Sequence, residues 1–263
     1  MSTWPVIGAL AAGVAWLVGR TVHRRGQQAA VADAADLDPA DDLSHLPEAL
    51  QRSALWTLSD GGFERRVVRG VVERERADVA VTAFDLETLR ERRGEWAYLP
   101  IEPPFRIAGV VSVAVCELDR AFPHVLLKRA GLGDHLEDDH PLDTLFSMPK
   151  RVRFLFGMTR KYPAELPATL PAAPVALELP NGWRAYTREP QCVAQLLASG
   201  FGAALLRAYR RDLVVELIDS IAIVYPAASR AAGADALADL TSIAVAIADA
   251  VRACSLTPRG IEA

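Results

Sequence analysis

Asp134, His135, Glu137, Asp138, Asp139, His140 and Asp143 crowd into one short stretch, GLGDHLEDDHPLD (131–143). Carboxylates and imidazoles are ligands for zinc, manganese and iron. His135, Asp139 and His140 are therefore the candidate metal ligands, and a metal there would suit a metal-dependent hydrolase. The two histidines are five residues apart, which misses the four-residue spacing that puts two ligands on one helix face. Glycines and a proline flank the run, as they flank a surface loop. The preferred reading is a solvated acidic loop, with no cofactor expected and the hydrolase kept as the alternative.

Other chemistry-bearing patterns are incomplete. GLGDHL begins like a dinucleotide fingerprint, but position 136 is leucine. There is no Gly-Lys-Ser/Thr phosphate loop and no G-x-S-x-G elbow. Cys116, Cys192 and Cys254 are far apart and odd in number, which argues against a zinc cluster or a disulfide framework. They read as buried thiols in a reducing compartment. His124, in AFPHVLL, reads as a packed histidine, while His23 and His45 read as exposed. No catalytic residue is assigned, and the chain is read as non-enzymatic.

Arginines cluster at ERRVVRG (64–70), RERRGE (90–95), KRVRF (150–154) and RAYRR (207–211), with Phe154, Phe156 and Tyr209 nearby. Basic and aromatic side chains together can bind single-stranded nucleic acid. Glutamates interleave the first two clusters, the net charge is −4 and the pI is about 5.8. A nucleic-acid groove needs net positive potential along it, so solvated sheet faces are the preferred reading. A nucleic-acid-binding module is the second alternative.

The elements that must carry these residues begin with WPVIGALAAGVAWLVGRTVHRR (4–25). From Trp4 to Gly19 there is no charge, and Arg20 can snorkel, which makes a membrane-spanning helix of about 19 residues plausible. Trp4 and Trp16 suit the two interfaces, and Arg20, Arg24 and Arg25 form a basic flank. Positive charge follows the apolar run instead of preceding it, which is the reverse of a cleavable signal. The positive-inside bias then places the remainder in the cytoplasm. Small residues four apart, such as Gly8 with Ala12, allow two such helices to associate.

Residues 1–25 are thus expected to be a transmembrane anchor, 26–43 an acidic flexible tether, and 44–257 a cytoplasmic domain. A subdomain seam is expected near 160–180, where five prolines fall in ELPATLPAAPVALELP and its flank. Leu46, Leu50, Ala54 and Leu58 lie on one helical face. Valine-rich segments at 63–75, 77–87 and 105–118 read as strands, as do HVLLKR (124–129) and RVRFLFGM (151–158). RERRGEWAYLPIEPP (90–104) suits a loop or sheet edge. Residues 190–211 read as two helices broken at Gly200, 212–226 as a hairpin turning near Asp219-Ser220, and 232–254 as an amphipathic helix. Strands first and helices late give an α+β fold with a mostly antiparallel sheet and helices concentrated in the C-terminal quarter.

Only three lysines occur among many arginines and alanines, the codon bias of a GC-rich bacterial genome. The order of an apolar N-terminal segment, a valine-rich meander, GWRAYTREPQCVAQLLASGFGAALL, LVVELIDSIAIVYP and a closing helix resembles a family of bacterial, actinobacterial-type membrane-anchored proteins with no known activity. The resemblance covers roughly 60–254, departs at 163–180, and implies a strand leading into the VAQLL helix. The expected function is a membrane-tethered, non-catalytic interaction or scaffolding protein. Its expected partners are the lipid bilayer, a protein not specified by the sequence, and a second copy through the anchor helix.

Overall fold

The computed structural model describes residues 4–57, 62–91, 105–129, 170, 179, 183–227 and 232–254. The chain opens with a 32-residue helix, α1 (Trp4–Ala35). A two-residue strand β1 (Asp38–Pro39), a 3-10 turn (Glu48–Arg52) and a short helix α2 (Ala54–Thr57) follow. Then come β2 (Gly62–Val72), β3 (Val79–Glu91), β4 (Phe105–Arg129) and β5 (Trp183–Thr187). Helices α3 (Pro190–Leu196) and α4 (Gly202–Arg210), strand β6 (Leu213–Pro226) and helix α5 (Ala234–Arg252) complete it.

The six strands form one antiparallel sheet, so the α+β expectation holds. β4 organises it. Along one edge it pairs first with β3 and then with β5, and along the other it pairs with β6. Helices cover one face, where Val31 of α1, Phe201, Leu205 of α4 and Ile247 of α5 meet Ala114, Val125 and Val215. The segment 49–55 covers the other face, over Phe84, Leu126, Ile221 and Tyr225. Burial on both faces explains why β4 and β6 read as near-continuous apolar runs instead of alternating ones.

The expected hairpin at 212–226 is instead one continuous strand. Leu213, Val215 and Leu217 face the helices, but so do Ala222 and Val224, so the alternation slips by one residue between them. Asp219 sits at the slip with φ 49°. β4 shifts register opposite it, between Phe122 and Val125. A bulge interrupts two-residue periodicity without reversing the chain, which is why this sequence looks like a turn. The same mechanism fuses the expected strands 105–118 and 124–129 into one.

The expected tether at 26–43 is also corrected. The helix continues through it to Ala35, with Val31 and Ala32 buried. Asp36 adopts φ 54°, and the Leu37 amide donates to the Ala32 carbonyl at 3.0 Å. This is a Schellman ending, with the apolar residue after the left-handed position tucked into the core. Asp38 and Pro39 then pair with Arg69 and Val68 of β2. The expected helix over 46–58 is a 3-10 turn and a separate short helix, parted at Ser53, whose backbone is extended (φ −63°, ψ 152°). The seam expected near 160–180, the strand expected at 151–158 and most of 90–104 lie outside the described residues, as do the side chains of residues 4–18.

Gly200 does break the C-terminal helix pair as expected, with φ 89°. Among the described residues, Pro190–Arg210 is the helical stretch long and apolar enough to cross a membrane, and it is not N-terminal. Its apolar side chains, including Val193, Leu196, Phe201 and Leu205, are buried against the sheet. At the far end of α5, Arg120 donates to the carbonyls of Val251 and Cys254. Arg252 reaches back to the carbonyls of Asp78 and Glu117. Guanidinium groups satisfy carbonyls that a helix C-terminus leaves unpaired.

Under the second face lies a fully buried carboxylate. Glu216 Oε1 accepts from the Ala54 amide and lies 2.6 Å from His124 Nε2, and Tyr225 donates to Oε2 at 3.5 Å. His124 is thus packed, as expected. Glu216→Ala would strand these partners and is expected to cost about 3 kcal/mol, measured by urea denaturation. Gly200→Ala is expected to cost about 1 kcal/mol. Open space surrounds the added Cβ, so that cost comes from the backbone alone.

Candidate functional site

Among the described residues, a cleft lies where α1 crosses β2 and β3. Its volume is about 570 Å³. Helix α1 supplies Arg24, Gln27 and Gln28, while β2 supplies Glu64, Arg65 and Arg66. Asp85 and Glu87 come from β3, and Ala232 and Gly233 precede α5.

Its geometry starts with a bulge in β2. Pairing with β3 shifts register between Arg65 and Val68, and Arg66 adopts φ 50°. A non-glycine residue in that region is strained unless its surroundings fix it. Here the side chain does so. Arg66 Nε lies 2.6 Å and Nη2 2.5 Å from Asp85 Oδ2, and Nη2 also donates to the Ala232 carbonyl at 2.8 Å. Asp85 is buried, and its other oxygen accepts from the Ser112 hydroxyl at 2.6 Å. Ser112 Oγ in turn accepts from the Ala232 amide at 2.8 Å. A charge this buried needs a partner and hydrogen bonds to be tolerable, and the network supplies both.

Beside it Arg65 Nη1 lies 2.6 Å from Glu87 Oε1. Gln28 donates to the Ala40 carbonyl at 2.8 Å and to the Val67 carbonyl at 2.7 Å, fastening α1 to the bulged strand. The cleft therefore offers guanidinium donors, carboxylate acceptors and carboxamides close together, with Arg65 and Arg66 paired to Glu87 and Asp85 and with Asp41 and Glu64 also in the lining. That composition suits binding. No activated nucleophile or base pair is built there.

The sequence-derived candidates distribute as follows. His135, Asp139 and His140 lie outside the described residues, and among the described residues no group of His, Cys, Asp and Glu could hold a metal ion. Trp4, Trp16 and Arg20 lie on the backbone of α1. Arg24 and Arg25 are exposed, and Arg24 borders the cleft. His45 is half-buried instead of exposed, because its ring bonds Thr82 Oγ1 at 2.9 Å. His23 is exposed and contacts Gln27. Arg65 and Arg66, expected on a solvated sheet face, are consumed in the cleft's ion pairs. Sequence reading missed this because Asp85 is 19 residues from Arg66 and Glu87 is 22 from Arg65 in the chain. The available signal was charge placed inward on otherwise valine-rich strands. In the RAYRR cluster, Arg211 pairs with Asp239 at 3.0 Å.

The three cysteines are free and buried, as expected. Burial pushes the Cys116 thiol from 9.0 up to about 12, against the pull of Arg252 and Arg74. Burial, then Glu189 and Cys254, push Cys192 up to about 11. Burial and the Glu216 carboxylate raise the Tyr225 phenol well above 10.0. Groups whose folded pKa is raised contribute stability that is intact below the unfolded pKa and lost as pH climbs through the folded one. Unfolding should therefore become easier as pH rises from about 9 toward 12. The decline in urea midpoint over that range is expected to be shallower in Cys116→Ala. Native thiols should resist a disulfide reagent at pH 8 until denaturant is added.

No family model and no curated relative matches the chain. Among solved structures, the crystal structure of the mycobacterial trehalose monomycolate transport factor A, TtfA, is similar. The two align over 90% of this chain and 100% of that one, at TM-score 0.50 and 11% identity. The likeness is one of fold.

Proposed function

We propose that this is a membrane-anchored, non-catalytic protein. The first part of α1 crosses the bilayer, the body lies in the cytoplasm, and the body acts by holding a partner or ligand at the membrane surface. The observation that carries the reading is how α1 is used. Over Thr21–Gln27 its side chains are exposed, and among its described side chains the first in the core is Val31. A helix of 32 residues is about 48 Å long, enough for a bilayer span followed by a segment packed on the body. The uncharged run Trp4–Gly19 opens the helix, and Arg20, Arg24 and Arg25 follow it, the charge order of an N-out, C-in anchor.

Two further observations support a binding role. The cleft gathers polar and charged side chains from three elements, and the fold is similar to that of a transport factor. That likeness is compatible with a non-catalytic, membrane-associated role. A protein partner bound at the body, and self-association through small residues such as Gly8 and Ala12, belong to the same proposal.

The test is a C-terminally tagged chain in its bacterial membrane. The tag is expected to survive protease on intact cells and to be digested in inverted vesicles, and the chain should stay with the membrane pellet in alkaline carbonate. Digestion from outside would overturn the orientation, and release by carbonate would overturn the anchor.

A further inference from the structure

Helix α1 and strand β2 run the same way. Arg24 shares the cleft with Glu64 and Arg65, Gln28 bonds the Val67 carbonyl, and Leu37 lies against Gly70. Going back along α1 toward Trp4 therefore means going back along β2 toward Gly62. β3 is antiparallel to β2, so it climbs toward the anchor end, with Ala83 opposite Val68 and Thr88 opposite Gly62. β2 begins at Gly62, but the β3–β4 ladder continues past it. Leu89, Arg90 and Glu91 pair with Ile107, Arg106 and Phe105. The sheet thus carries a two-stranded projection on the side from which α1 enters the body.

Two lengths fix how far the projection reaches. Arg20 is eight residues before Gln28, roughly 12 Å along the helix axis. Glu91 is seven residues beyond Phe84, the neighbour of Val68's partner, and that length of strand spans roughly 23 Å. Inclined at about 45° to the helix axis, it still rises about 16 Å. The end of the ladder therefore stands level with Arg20 or above it.

The residues placed there suit an anionic surface. Arg90 is directly opposite Arg106, and like charges opposite each other in an antiparallel pair repel. Glu91, opposite Phe105, alternates to the other face of the ribbon. Anionic headgroups would relieve the repulsion, and each arginine near an anionic membrane surface strengthens attachment about fivefold.

We propose that the end of the β3–β4 ladder is a second membrane contact of this chain, in which Arg90 and Arg106 meet the anionic phospholipid headgroups of the leaflet from which α1 emerges. The anchor sets the height of the body, and this contact braces it against tilting. The proposal rests on the membrane-anchored reading for the position of the bilayer, and on strand register for what reaches it.

The experiment uses the full chain in nanodiscs of phosphatidylcholine, with and without phosphatidylglycerol. A nitroxide is attached through Glu91→Cys or, beyond the other end of β3, through Asp78→Cys, an exposed position. The native thiols are buried and stay unlabelled. With phosphatidylglycerol present, collision with a water-soluble nickel chelate should be several-fold lower at position 91 than at position 78. The difference should shrink in phosphatidylcholine alone, and in Arg90→Gln with Arg106→Gln. Arg90→Lys with Arg106→Lys should restore it, which separates loss of charge from damage to the ladder. Equal nickel access at the two positions in both bilayers would overturn the contact. Equal protection of position 91 in both bilayers, unchanged in the glutamine variant, would overturn its anionic chemistry. Carbonate extraction reads the anchor separately. A chain released by carbonate has no anchor, whereas one retained with position 91 open to nickel lacks only the second contact.

Discussion

A carboxylate buried between two strands must be neutralised where it stands, and Asp85 is neutralised by Arg66. Much of the cleft follows from that one pairing. To bring its guanidinium over β3, Arg66 takes a left-handed backbone conformation, and β2 bulges at that point. The bulge exposes the Val67 carbonyl to Gln28 of α1, and the remaining arginine hydrogen bond holds Ala232 ahead of α5. Ser112 closes the circuit by bonding both Asp85 and Ala232. Helix, bulged strand and the approach to the last helix are thus tied to a single ionised group. A polar network of this kind stabilises only when all its members are satisfied, so the cleft's shape and the pairing of its buried carboxylate have the same cause.

The attachment of α1 has the second largest consequence. Its Schellman ending puts Leu37 into the core directly after the last helical turn. Gln28 grips two carbonyls of the neighbouring segments. The helix cannot swivel about its C-terminal end without breaking these bonds and exposing Val31. Whatever holds the N-terminal part of α1 therefore also sets the orientation of the sheet. A flexible connection would decouple the two ends; this one transmits position.

The sheet is built around the length of β4. A strand of 25 residues twists too far to stay in register with one flat neighbour, and the bulges near Phe122 and Asp219 absorb the accumulated mismatch in both strands at once. They also exchange which side chains face the helices. The buried Glu216 lies close by, with His124 and the Ala54 amide as partners, so the second face has its own satisfied charge. Arg52 pairs with Asp219 at the same bulge, binding the 3-10 turn over it.

What the sequence determined by itself was the local and periodic part. Valine-rich runs marked β2, β3 and β4, the 3.6-residue period marked α5, and Gly200 marked the break between α3 and α4. Those signals arise from near neighbours in the chain, where propensity and burial agree. The buried, inert cysteines followed from their apolar surroundings. Tertiary structure decided the rest. Residues 26–35 lack large apolar side chains, yet they are helical because Val31, Ala32 and Gln28 find partners on β2 and α5. Asp219 makes a bulge instead of a turn because β4 continues beside it. Arg65 and Arg66 look like surface charges until the sheet brings Glu87 and Asp85 across from them. In each case the deciding partner is far away in sequence, and only the register of the strands selects it.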